Sequence, residues 1–208
     1  MHKVKLIIST ILLVFFASVV TAETTVIHAG TLLSVPGENP LSKQSLIVKN
    51  GAIHEIRKGY VQIEGSRHID LSCCFVLPGL IDLHVHLTTP VKAGGSLRVV
   101  TETSADLALT AARFARMTLD AGFTTVLDLG TGRRQHEEAI YALRKATREH
   151  RLPGPRIIAV GSPISPSGHS RTGLYRSDVE KIVGPEGVCN GVDDCRRAVR
   201  EQVKRGAD

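Results

Sequence analysis

The chain reads as an α/β protein: a parallel sheet or barrel of alternating strands and helices, preceded by a small antiparallel β segment. Three observations carry this. From Phe75 onward apolar runs of strand length alternate with stretches of helical periodicity. Between Thr24 and Leu71 the texture is short and β-branched, with Asn50-Gly51 as a hairpin signal. The 208 residues, 42% of them hydrophobic, suffice for one large or two small domains and a sizeable core. Wholesale disorder, a collagen-like repeat and a polytopic membrane protein are excluded on that composition.

Residues 1–22 read as an address. Lys3 and Lys5 precede an apolar stretch from Leu6 to Val20, and Val20-Thr21-Ala22 has the small residues a signal peptidase reads. The stretch falls short of the ~20 residues that span a bilayer, so no stable membrane anchor is expected. Export to the periplasm or medium is expected instead, where disulfides persist. Cys189 and Cys195 flank a loop and can close a small staple. Cys73 and Cys74 read as buried thiols ahead of a strand, and the four cysteines lack the spacing of a structural zinc site.

In the segment 23–74, Thr25–His28 and Ser45–Val48 read as strands, with Ala52–Ile56 returning after the turn and Pro36–Pro40 as a loop. In the segment 75–208, a strand follows Pro78-Gly79 and runs to Leu87. A helix spans about Ser104 to Ala121, with Leu107, Ala111, Phe114, Ala115 and Leu119 on one face and Gly122 ending it. Phe123–Leu127 is the next strand. Glu137 to His150 is a helix with Ile140, Leu143 and Thr147 inward, and Pro155–Val160 is a third strand. Asp193 or Asp194 caps a last helix whose Ala198, Val199 and Val203 face inward. Such alternation implies parallel, buried strands.

Charge says little about partners. There are 26 basic and 20 acidic residues, a formal net charge of +6 that becomes +4 without Lys3 and Lys5. The basic residues are interspersed with acids, Trp is absent, and only 3 Tyr and 5 Phe are present. A stacking, basic nucleic-acid surface is not expected.

The sharpest chemistry lies in Pro78-Gly79-Leu80-Ile81-Asp82-Leu83-His84-Val85-His86-Leu87. Strand alternation puts Asp82, His84 and His86 on one face and Ile81, Leu83, Val85 and Leu87 on the other. Two imidazoles at i and i+2 can converge on one metal, and an interior polar trio needs a partner. Water on such a metal is a nucleophile at neutral pH.

This stretch resembles the opening metal motif of the amidohydrolase superfamily, a strand that enters a (β/α)8 barrel. Gly122-Phe123-Thr124-Thr125-Val126-Leu127-Asp128-Leu129-Gly130 is similar to the second barrel strand of its imidazolonepropionase and prolidase-like dipeptidase branch. Pro153–Ile157, Ser167-Gly168-His169 and Val199–Asp208 resemble the third strand's entry, its Gly-His loop and the helix before strand four. The resemblance implies that 23–74 is part of a small β-sandwich domain and that 75–208 is the first three βα units of the barrel. It implies hydrolysis of amide or peptide C–N bonds, of dipeptides or N-acyl amino acids, with one or two divalent metal ions, zinc in kind. His84 and His86 become metal ligands, His169 a substrate-binding group, and Asp82 and Asp128 supports of the pocket.

A barrel of this type needs eight strands and about 250 residues. The resemblance places a bridging Lys, two further His and a catalytic Asp beyond Asp208, so the chain is expected to be an N-terminal portion, inactive alone. A cyclic-amide hydrolase of the same superfamily and a non-catalytic exported binding protein are the alternatives, and a homo-oligomer is left open.

Overall fold

A computed structural model describes residues 23–89, 98–130, 136–167, 176, 178 and 187–208. The leader segment 1–22 and His169 lie outside the described residues. The chain divides into two compact units between Pro78 and Gly79.

The first unit is one four-stranded sheet built from β1 (Thr24–Leu32), β2 (Leu41–Lys49), β3 (Ala52–Lys58) and β4 (Arg67–Val76), in the order β3-β2-β1-β4. Asn50 and Gly51 have φ of 51° and 77°, the paired positive values of a type I′ turn, and Lys49 faces Ala52 across it. The sheet is mixed where the sequence suggested antiparallel pairing, because β4 runs parallel to β1. Residues 59–66 cross from β3 to the far side of β1, so β4 runs in the direction of β3, which is also that of β1. Two side chains anchor the crossover. The buried Ser45 hydroxyl donates to the Gly59 carbonyl at 2.7 Å and accepts from the Val61 N–H at 3.0 Å. His28 donates from Nε2 to the Val61 carbonyl at 2.9 Å while its ring stacks on Tyr60. Ala29, Leu32 and Leu46 form the core of this sheet, with Ile27 and Val76 against it.

Cys73 and Cys74 correct the expectation of buried thiols. Both are exposed and lie inside β4, with their sulfurs 3.5 Å apart. The cause is a bulge: Ala29 pairs with Leu71 but Thr31 pairs with Phe75, so β4 carries extra residues opposite Gly30. Gly30 is required there, since a Cβ would collide with the Ser72 carbonyl. Gly30→Ala is expected to destabilise the protein by about 2 kcal/mol, the usual cost of overpacking, read from the denaturant midpoint.

The second unit is a parallel sheet, β5-β6-β7, of β5 (Leu80–Val85), β6 (Phe123–Asp128) and β7 (Arg156–Ala159). Helices α1 (Arg98–Thr101) and α2 (Ser104–Asp120) connect β5 to β6, α3 (Glu137–Arg148) connects β6 to β7, and α4 (Val192–Arg205) follows. Thr103 caps α2 in a reciprocal box with Asp106, which supplies two of the first-turn bonds that a helix cannot make itself. Ala111, Ala115, Val126, Ile140, Leu143, Ile157 and Ala159 pack as one core with Leu87. This is the strand–helix arc of a (β/α) barrel, as expected from the periodicity.

Two packing expectations change. Ile81 and Leu83 are 61% and 64% exposed, because β5 is the sheet edge and α2 and α3 pack over β6 and β7. On α4 the inward residues are Ala198 and Gln202, four apart, while Val199 and Val203 are exposed. Its N-cap is Gly191, and Asp194 instead accepts the Asn190 N–H at 2.9 Å. Cys189 and Cys195 are disulfide-bonded across that start, Cα atoms 4.8 Å apart.

Tyr141 on α3 provides a pH handle. Burial and the nearby Glu137 carboxylate push its phenol up to about 12. An unfolded tyrosine titrates near 10, so between about pH 10 and 12 the unfolded chain has lost a proton that the fold retains. Stability therefore falls as pH rises through that window. Tyr141→Phe is expected to remove this part of the alkaline loss, measured as unfolding midpoints at about pH 9 and 11.

Candidate metal centre

His84 sits on β5 and His86 one residue past its end, both exposed. Their rings meet edge to face with centroids 5.4 Å apart, so the strand does bring the two imidazoles together. The alternation behind that expectation is interrupted, however. Asp82 pairs with Val126 and Val85 with Asp128, leaving Leu83 and His84 opposite Leu127 alone. Asp82, half-buried, accepts the His84 backbone N–H on Oδ1 at 3.0 Å and so braces this irregular stretch.

The orientation of His86 is set by one bond. Its Nδ1 lies 2.8 Å from the Gly130 carbonyl, which can only accept, so Nδ1 carries the proton. Nε2 is left as the lone-pair nitrogen, the arrangement in which a backbone carbonyl fixes the tautomer of a metal-binding imidazole. Gly130, two residues beyond β6, has φ of 77° and sits against the Gly161 carbonyl where a Cβ would collide.

Asp128 ties these ends together. Fully buried at the end of β6, it accepts the Leu87 N–H on Oδ2 and the Gly130 N–H on Oδ1, each at 2.8 Å. Burial raises its carboxyl above the ordinary range, against the pull of the two backbone N–H groups and of His86. One carboxylate thus holds the backbone on both sides of the His86–Gly130 bond. The residues after Leu127 signalled this only as an acid at a strand end. The partner Gly130 was visible only as the glycine that closes the segment.

The donor set fits a metal in part. Two imidazoles, one with its tautomer fixed, are a plausible pair of nitrogen ligands by chemistry. Among the described residues no group of three or more His, Cys, Asp or Glu converges. Among the same residues no helix is long and apolar enough to cross a membrane.

A parallel strand–helix arc with polar groups gathered at the C-terminal strand ends defines the (β/α) barrel class of architecture. Residues 75–208 match the model of the Amidohydrolase family, and the chain belongs to that family. It is 28% identical to the ochratoxinase of Aspergillus niger over 221 residues, covering 92% of this chain and 42% of that protein. A dihydroorotase of Trichlorobacter lovleyi matches at 49% identity over 45 residues, 22% of this chain and 11% of that protein. Among solved structures, a Xaa-Pro dipeptidase with bound methionine in its active site superposes with a TM-score of 0.76 at 31% identity, over 89% of this chain and 46% of that one. The chain therefore spans less than half the length of the ochratoxinase and of the dipeptidase.

Proposed function

We propose that this chain supplies the first metal-binding strand of an exported amidohydrolase that cleaves the C–N bond of dipeptides or N-acyl amino acids. The observation that carries the reading is the His86–Gly130 bond, which leaves Nε2 of His86 free beside His84 at the end of the first barrel strand. A divalent metal such as zinc, when bound, supplies a nucleophile from water at neutral pH. His84 and His86 would hold it. Asp82 steadies the backbone under His84, and Asp128 holds the turn that carries His86. His169 is proposed to bind the substrate's carboxylate or carbonyl oxygen. Similarity to a Xaa-Pro dipeptidase over nearly the whole chain supports the dipeptide reading. The Cys189–Cys195 disulfide and the leader-like residues 1–22 support export.

The dihydroorotase match supports a second reading, ring opening of a cyclic amide by the same imidazole pair. The test is turnover by the full-length protein of Xaa-Pro dipeptides, N-acyl amino acids and cyclic imides, before and after chelation. Dipeptide or N-acyl hydrolysis lost to chelator and restored by zinc is expected. Turnover of cyclic imides alone would favour the second reading, and activity indifferent to chelator would overturn both.

A further inference from the structure

Beyond the end of β7 lies a cluster of buried polar side chains that the imidazole pair does not use. Glu137, at the start of α3, is 1% exposed, and its Oε1 accepts the Ser162 N–H at 2.8 Å. Its Oε2 stands 3.6 Å from Nη1 of Arg205 on α4, an ion-pair contact beyond hydrogen-bond length. Among the described residues, those two atoms, Tyr141 Oη and Gln202 Oε1 are all buried without a hydrogen-bond partner.

Gly161 brings two of them to one place, and the Tyr141 phenol lies within electrostatic reach of the Glu137 carboxylate and the Arg205 guanidinium. A Cβ on Gly161 would collide with Gln202 Oε1 and come within 2.8 Å of Tyr141 Oη, and the next residue, Ser162, is the one Glu137 holds. Leaving such groups unpaired costs about 1–3 kcal/mol each, so something polar completes them. Arg205 and Tyr141 present donors; Glu137 Oε2 and Gln202 Oε1 present acceptors. The guanidinium disfavours a metal cation there and the carboxylate disfavours an anion. Two donors and two acceptors are the complement of one water molecule.

We propose that Glu137, Tyr141, Gln202 and Arg205 enclose a single internal water, and that this clasp between α3 and α4 positions the Gly161 turn on which Gly130, the acceptor for His86, rests. The mechanical path is short. The clasp holds Gly161 and Ser162, the Gly161 carbonyl abuts Gly130, and the Gly130 carbonyl receives the His86 Nδ1–H. The phenol of Tyr141 keeps its proton to about 12, so it remains a donor throughout the neutral range. These residues are positioning residues, remote from any substrate.

The test combines a crystal structure of the protein with exchange rates measured by NMR. One ordered water at about 2.7–3.2 Å from all four atoms is expected. Tyr141→Phe removes one donor and little else. It is expected to speed exchange of the Ser162 amide and the His86 Nδ1–H about tenfold, the effect of losing one ordinary hydrogen bond, while amides in β1 stay unchanged. Gly161→Ala should push Gln202 and Tyr141 apart and speed the same two exchange rates at least as much. If Gly161→Ala does not fold, the Tyr141→Phe rates decide alone. Direct bonds among the four side chains with no water between them, or unchanged rates at Ser162 and His86 in Tyr141→Phe, would overturn the proposal.

Discussion

Replacing His84 or His86 with Ala in the full-length protein is expected to abolish stoichiometric metal retention and to lower kcat/KM by about 1000-fold or more. The magnitude follows from the several kcal/mol of transition-state stabilisation that a Lewis-acidic ion contributes, at about 1.4 kcal/mol per tenfold. The two variants should differ in folding. His86 donates to the Gly130 carbonyl, so His86→Ala also loosens the link between the ends of β5 and β6. His84 makes no such side-chain bond among the described residues, so with metal removed from both proteins its loss should leave the unfolding midpoint nearly unchanged. Asp82→Ala, which removes the acceptor for the His84 N–H, is expected to cost about tenfold in metal affinity, as supporting groups around metal ligands do. Metal content and rate unaffected by either histidine substitution would refute the assignment of the pair.

Asp128→Ala is expected to destabilise the second unit by about 3 kcal/mol. Its two oxygens each accept a backbone N–H at 2.8 Å in a fully buried position, and truncation leaves the Leu87 and Gly130 donors with nothing. A buried unsatisfied donor costs about 1–3 kcal/mol, and bonds to a charged acceptor stand at the upper end. Asp128→Asn keeps one oxygen acceptor and should lose about half as much. Equilibrium denaturation reads both. A change within about 0.5 kcal/mol for Asp128→Ala would show that the carboxylate is not what holds these strand ends together.

The helices and strands of the second unit were legible because each has one buried stripe. Leu107, Ala111 and Ala115 recur at helical spacing, and Val126 and Ile157 lie in short apolar runs between them. The type I′ turn was legible because only residues tolerant of positive φ make it, and Asn50-Gly51 is such a pair. Periodicity misled where a face lacks a partner. Ile81 and Leu83 have the pattern of a buried face, yet no described helix lies over the edge strand that carries them. On α4 the periodicity groups Ala198, Val199 and Val203, but the structure buries Ala198 with the polar Gln202 and leaves both valines exposed. The thiols of Cys73 and Cys74 were misplaced because a bulge depends on the register between β1 and β4, a pairing between distant segments that neither strand encodes alone.

The sequence by itself determined the alternation of β5, β6 and β7 with α2, α3 and α4, the hairpin turn, the family and the placing of two imidazoles two residues apart, since short runs of the chain carry each of these; β4 and α1 were not legible in it. Only the tertiary structure decided that β4 pairs in parallel with β1, that Asp128 clamps Leu87 and Gly130, and that the Gly130 carbonyl selects the tautomer of His86. Those facts join residues some 40 positions apart through backbone groups, and every residue carries the same backbone groups. Which carbonyl meets which imidazole is therefore settled by how the strands are packed side by side.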